Sequence, residues 1–85
     1  MNSRQLKTLG RVFDQPIRAD IKWKDTRSLL EAVGATVDEG KGSGSRIAID
    51  FKDRTFMMHK PKTKELKQYQ VKDLREFLTE MGVTP

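Results

Sequence analysis

Two side chains at the ends of predicted strands are of the types that RNA chemistry uses. His59 is the only histidine among the 85 residues, and an imidazole can give and take protons near neutral pH, as cleavage through the 2′-hydroxyl of RNA requires. Arg46 follows a glycine-rich turn, and its guanidinium can hold two oxygens of one phosphate. For His59, the candidate catalytic residue, the alternative is a solvated strand-end side chain. For Arg46 it is a surface ion pair with Asp50 or Glu39.

Most of the candidate phosphate contacts are lysines that follow His59 in the sequence. Double-stranded RNA is recognised largely through its shape, its phosphates and its 2′-hydroxyls, and a lysine-rich loop leading into a helix suits that task. The alternative is a solvated loop whose charge only keeps the protein soluble. The predicted RNA-binding residues are Lys41, Ser45, Arg46, Lys60, Lys62, Lys64, Lys67, Lys72 and Arg75.

The composition favours an anionic partner and excludes several classes of site. Seventeen Lys and Arg residues against twelve Asp and Glu residues give a net charge of +5 and a pI near 9.8, which attracts nucleic acid first and an acidic protein second. The absence of cysteine excludes disulfides, cysteine-ligated zinc and a thiol nucleophile. The aspartates lack metal-ligand spacing, so we predict no metal site and no cofactor. Because no apolar run reaches the length of a membrane span or signal-peptide core, we expect a cytoplasmic protein without a membrane partner.

The periodicity of apolar residues predicts the elements that position these candidates. Helical spacing predicts helices over residues 3–13, with Ser3 as the N-cap, and over 23–33 and 70–81. A strand begins near residue 35, and alternation predicts two more over 47–51 and 54–59. Gly34 and Gly82 are placed to end the second and third helices.

The predicted strands indicate how the sheet is covered. Ile47, Ile49 and Phe51 alternate with Ala48 and Asp50, so the first three are expected on the core face. Phe56 and Met58 of the returning strand belong to the same face. We therefore predict an α+β fold, with a three-stranded antiparallel sheet packed by helices on one face and an extra N-terminal helix. That first helix either packs at the edge of the αβββα unit or docks a partner.

The order of these elements and several short sequence motifs resemble those of a known family. The segment 23–83 resembles the HicA toxins of bacterial and archaeal toxin–antitoxin pairs. The matching motifs lie at residues 29–35, where a helix ends in Gly34-Ala35, and at 42–46, 58–61, 71–78 and 82–83. On this resemblance, residues 1–20 form an N-terminal helix with its connection, and residues 21–85 form the HicA-like domain.

The resemblance carries expectations of fold, activity and partner. It implies the αβββα fold of double-stranded-RNA-binding domains, toxic ribonuclease activity on messenger RNA, and neutralisation by a HicB-like antitoxin. In the family the catalytic histidine directly follows a Gly-Ser-type turn, and in this sequence that position is Arg46. Whether the chain keeps endonuclease activity is therefore left open. The alternative is a non-enzymatic RNA-binding or protein-interaction module that retains the fold.

Overall fold

The predicted αβββα order, preceded by an additional helix, is confirmed. The computed structural model describes residues 1–40 and 46–85, and Lys41 and Ser45, two of the predicted RNA contacts, lie outside them. Its helices and strands are α1 (Ser3–Val12), α2 (Trp23–Ala32), β1 (Thr36–Glu39), β2 (Arg46–Phe51), β3 (Arg54–His59) and α3 (Gln68–Glu80). Among the described residues, no helix is long and apolar enough to cross a membrane.

The three strands form an antiparallel sheet in the order β1-β2-β3. Ile49 pairs with Val37 and Phe56, and Ile47 pairs with Met58, so the predicted core face is correct. Ile47 and Ile49 are fully buried under the helices. The opposite face, which we call the open face, carries exposed side chains, as expected for a sheet covered on one side.

Ala48 is a small exception on the open face. It points away from the core, yet only 2% of its surface is exposed. Its cross-strand partners are Asp38 and Met57, whose longer side chains flank the methyl group and shield it from water.

The start of α1 corrects the predicted cap. Asn2, not Ser3, is the N-cap, because its side chain accepts a hydrogen bond of 2.9 Å from the backbone N–H of Gln5. Gln5 accepts in return from the Asn2 backbone, which completes a capping box. The amide of Gln5 also donates to the hydroxyl of Ser28 at 2.9 Å, so the same side chain ties α1 to α2.

Glycines end α2 and α3 where the sequence predicts. Gly34 and Gly82 have positive φ angles of 99° and 77°. After each helix, the glycine N–H and the next N–H bond back to carbonyls of the last turn, the Schellman arrangement that satisfies orphan acceptors. At its other end α3 begins at Gln68, two residues before the predicted start, because the side chain of Gln70 accepts from the Lys67 N–H at 3.0 Å and closes an earlier turn.

The additional helix packs on the core. Leu9 and Val12 of α1 are buried in the same cluster as the strand residues, which answers how this helix relates to the αβββα unit. After the helix, Arg18 donates hydrogen bonds to both Asp14 and Asp20 at 2.8–2.9 Å. These bonds hold the pKa of Asp20 below its ordinary value and raise that of Arg18.

Candidate nucleic-acid interface

A short backbone pairing fixes the lysine-rich loop against the start of α2. The Trp23 N–H donates to the Lys64 carbonyl, and the Leu66 N–H donates to the Ile21 carbonyl, both at 2.8 Å. Together they form an isolated antiparallel bridge. Ile21 and Leu66 are 2% and 1% exposed, so apolar burial anchors both sides of this bridge. Lysines on two segments distant in sequence are thereby placed side by side.

Two adjoining depressions lie along this contact. The first has a volume of about 440 Å³ and is lined by Lys22, Trp23, Lys24, Lys60, Pro61, Thr63 and Lys64. The second has a volume of about 300 Å³ and is lined by His59, Lys60, Pro61, Lys62, Lys67, Tyr69 and Gln70. Because they share Lys60 and Pro61, they form one continuous surface, and all six of its lysines are exposed. We call this surface the lysine groove and define it by Lys22, Lys24, Lys60, Lys62, Lys64 and Lys67.

Aromatic side chains lie among these lysines. Tyr69 is 55% exposed at the second depression. Trp23 is half-buried, packs partly against the core and lines the first depression. Its indole N–H donates to the Glu39 carboxylate at 3.2 Å. Aromatic rings between cations offer both stacking and charge to a nucleic acid.

Glu39, an acidic residue beside the groove, is partly compensated. Glu39 accepts hydrogen bonds from Arg27 and from Trp23, and its second ion pair reaches Lys60 at 4.0 Å. Arg27 offsets part of this negative charge and also pairs with Glu31 at 3.6 Å. The six exposed lysines still outnumber Glu39 and the neighbouring Asp25 and Glu65, so the groove keeps an excess of positive charge.

Two helix N-termini meet at the same surface. Lys22 is the N-cap of α2 and Lys67 is the N-cap of α3. The first N–H groups of a helix carry partial positive charge and favour anions. Although the Trp23 N–H is already bonded to the Lys64 carbonyl, the dipoles of the two helices add to the positive charge of the groove.

Arg46 and His59 face each other across β2 and β3. They are direct partners in the strand register and both are exposed on the open face, at the end of the sheet next to the groove. The two carboxylates suggested as structural partners of Arg46 have other contacts: Asp50 accepts from Thr55 at 2.6 Å, and Glu39 binds Arg27. Within residues 1–40 and 46–85, the ion pairs do not include Arg46.

The structure places the last two predicted contacts elsewhere. Arg75 donates from Nε to the Val12 carbonyl at 2.9 Å and from Nη2 to the Asp14 carbonyl at 2.8 Å, and its guanidinium lies 5.8 Å from the ring centre of Phe13. It therefore fastens α3 to the end of α1. Lys72 precedes it by one helical turn and lines neither depression of the groove.

Two contributors to the groove are absent from the sequence prediction. Lys22 and Lys24 precede or begin a helix and carry no local signal that links them to residues 60–67. Only the backbone bridge between 21–23 and 64–66 brings them there. Without knowledge of that long-range pairing, the sequence offers no way to group these lysines.

No protein-family model, no curated protein and no solved structure matches this chain. Within the part of the chain that the structure describes, no three His, Asp or Glu side chains are grouped as metal ligands.

Proposed function

We propose that this protein binds RNA through the lysine groove. The observation that supports this most is the convergence of six exposed lysines from two distant segments around Tyr69 and Trp23. Phosphate contacts by lysine supply most of the affinity for a nucleic acid and make it salt-dependent. Stacking of a base on an exposed aromatic ring adds about 1–3 kcal/mol without sequence preference. The groove offers lysines for the phosphate contacts and aromatic rings for the stacking.

Neutralising two groove lysines is expected to weaken RNA binding. In Lys60→Gln/Lys62→Gln, the dissociation constant should rise on the order of tenfold, and the slope of log affinity against log salt should fall by about one to two, because each lost phosphate contact contributes roughly 0.7 to 0.9. Fluorescence anisotropy with a labelled hairpin and a labelled single strand, across a salt series, measures both quantities.

The matched control removes the same charge from the other end of the sheet. Lys52 and Arg54 lie at the β2–β3 turn, and Arg54 there makes only an exposed ion pair, at 3.1 Å, to Glu80, which contributes little to stability. The variant Lys52→Gln/Arg54→Gln should bind RNA like the wild type. Equal loss in both double variants would show that net charge alone drives binding, and absence of wild-type binding to either RNA would refute the proposal.

We also propose a partner of the kind that the HicA resemblance implies. A HicB-like antitoxin with an acidic surface would cover the lysine groove and exclude RNA from it, because the two ligands need the same cations. Such a pair would act in the cytoplasm. The same surface also suits a module that binds RNA or an acidic protein without cleaving anything.

One observation favours RNA cleavage as a second candidate function. The residue at the family's catalytic position is Arg46, but His59 lies directly opposite it on the neighbouring strand. An imidazole can remove the 2′-hydroxyl proton as the 2′-oxygen bonds to phosphorus, and a guanidinium beside it can stabilise the negative charge that develops on the phosphorus oxygens. The bond from phosphorus to the 5′-oxygen then breaks, and the 5′-oxygen takes up a proton from the imidazolium or from water. These two groups can act without a metal ion.

Cleavage is tested in the presence of EDTA. Wild-type protein is expected to shorten structured RNA on a denaturing gel, and His59→Gln is expected to leave it intact while binding it with similar affinity. Lys52→Gln/Arg54→Gln again serves as the control and should cleave normally. RNA that remains intact with wild type, yet shifts on a native gel, would exclude the nuclease and leave the binding proposal in place.

A further inference from the structure

One side of α1 carries a row of cations. Arg4, Lys7 and Arg11 follow each other at helical spacing, and all three are exposed. Like charges three or four residues apart destabilise a helix by a few tenths of a kcal/mol. The first turn of α1 contains Arg4 and no acidic residue, although the helix dipole favours the opposite charge there. The spacing of the three cations and the position of Arg4 are therefore unfavourable for the helix by itself, whereas Arg11 lies in the last turn, where the dipole favours a cation.

These cations face a polar cleft between α1 and the start of α2. The cleft has a volume of about 420 Å³ and is lined by Ser3, Arg4, Lys7, Thr8, Arg11, Asp20, Lys22 and Asp25. Four of these side chains are cationic and two are anionic. Asp20 accepts from two nitrogens of Arg18 at 2.8 and 2.9 Å, so an arginine outside the cleft, which also pairs with Asp14, offsets part of its charge. Across the described residues, the ion pairs include none of the four cations.

Lys22 belongs to this cleft and also to the lysine groove. We propose that the α1 cleft binds further phosphates of the same RNA, so that one cationic surface runs from the groove across Lys22 onto α1. This inference depends on the RNA binding proposed above and adds the extent of the bound RNA to it. An RNA strand is the occupant favoured by charge, because its regularly spaced phosphates can follow a row of cations that continues from one depression to the next.

RNAs of two lengths distinguish binding in the α1 cleft from binding in the lysine groove. A strand of roughly 6 nucleotides should fill the groove alone, whereas one of roughly 20 nucleotides should also reach α1. In Lys7→Gln/Arg11→Gln, affinity for the short RNA is expected to remain unchanged. The dissociation constant for the long RNA should rise on the order of tenfold, and its salt slope should fall by about one to two. Glutamine keeps the helix propensity of α1, and circular dichroism checks that the fold is intact.

Each outcome decides between the two proposals. The control Lys52→Gln/Arg54→Gln, which removes one lysine and one arginine elsewhere, should bind both RNAs normally. Wild-type binding to both RNAs, with no effect of Lys7→Gln/Arg11→Gln on the long one, would overturn the α1 cleft and leave the groove. If Lys7→Gln/Arg11→Gln bound the short and the long RNA equally more weakly, the inference would also be contradicted. The α1 cleft would then not be an extension of the groove that only the long RNA reaches. Wild type that binds neither RNA would refute the function itself.

Discussion

Replacing Leu66 with alanine is expected to lower the free energy of unfolding by about 2–4 kcal/mol, the usual range for truncating a buried leucine. The side chain is 1% exposed and belongs to the hydrophobic core. Chemical denaturation monitored by circular dichroism measures the change. Because the truncated side chain leaves a cavity, the loss should exceed the transfer free energy of the removed methyl groups alone.

The same substitution should also weaken RNA binding, although it alters no charge. The Leu66 N–H is one of the two donors of the bridge that holds the lysine-rich loop beside α2. Loss of the apolar anchor lets this bridge open locally. The lysines of residues 60–64 are then no longer held beside Lys22 and Lys24. We expect the dissociation constant to rise several-fold under conditions where the variant is still folded.

The control for Leu66 keeps the volume of the side chain. Leu66→Met should cost less than about 1.5 kcal/mol and should bind RNA like the wild type. If Leu66→Ala lost stability as expected but bound RNA unchanged at all salt concentrations, the bridge would not be needed for the groove.

Replacing Arg75 with methionine is expected to cost about 2–3 kcal/mol. The guanidinium makes two hydrogen bonds, to the carbonyls of Val12 and Asp14. Hydrogen bonds that involve a charged group contribute about 1.5–3 kcal/mol each, and partial exposure of Arg75 reduces the total. Methionine retains most of the apolar stem, so the measurement isolates the polar contacts. A lowered midpoint in urea with an unchanged slope is the expected signature.

Lys72 provides the comparison for Arg75. It lies one turn earlier on α3, is exposed, and Lys72→Met should change the free energy of unfolding by less than about 0.5 kcal/mol. The sequence groups these two residues as RNA contacts, whereas the contacts of Arg75 indicate a structural role. Equal stability of both methionine variants would contradict that role and return Arg75 to the RNA-binding candidates.

The strands and the C-terminal ends of α2 and α3 are the part of the fold that the sequence predicts well. Ile47 and Ile49 alternate with less apolar neighbours. In a strand with this period of two, the apolar side chains face the covered side of the sheet. Gly34 and Gly82 end helices because a positive φ is easy for glycine. Both signals are local, so a single sequence contains them in full.

The N-cap of α1 and the role of Arg75 are harder to predict. Two neighbouring residues suit the cap, and an arginine suits two kinds of partner. Asn2 and Ser3 are both good N-caps, and the hydrogen bond that the Gln5 backbone N–H donates to the Asn2 side chain decides between them. Arg75 could equally hold phosphates or backbone carbonyls, since a guanidinium donates to either. Which partner it meets depends on where α1 ends in space.

The candidate site depends still more on distant pairing. His59 and Arg46 could be placed on strand ends from the sequence, but their positions opposite each other follow from the β2–β3 register. Lys22 and Lys24 join the lysine-rich loop only through the bridge at residues 21–23 and 64–66. Such an isolated bridge leaves no pattern of residue types to recognise, whereas the two-residue turn between the predicted strands 47–51 and 54–59 already favours the β2–β3 register.

RNA bound in the groove as proposed would also stabilise the folded chain. An unfolded chain keeps the lysines but not their arrangement, so RNA that needs the arrangement stabilises the native state by mass action. The gain is about 2.7 kcal/mol when free RNA is at roughly a hundred times its dissociation constant. Small domains are stable by only about 5–15 kcal/mol in total. A cell rich in suitable RNA would therefore protect this protein from proteolysis, and its abundance would follow that of its ligand.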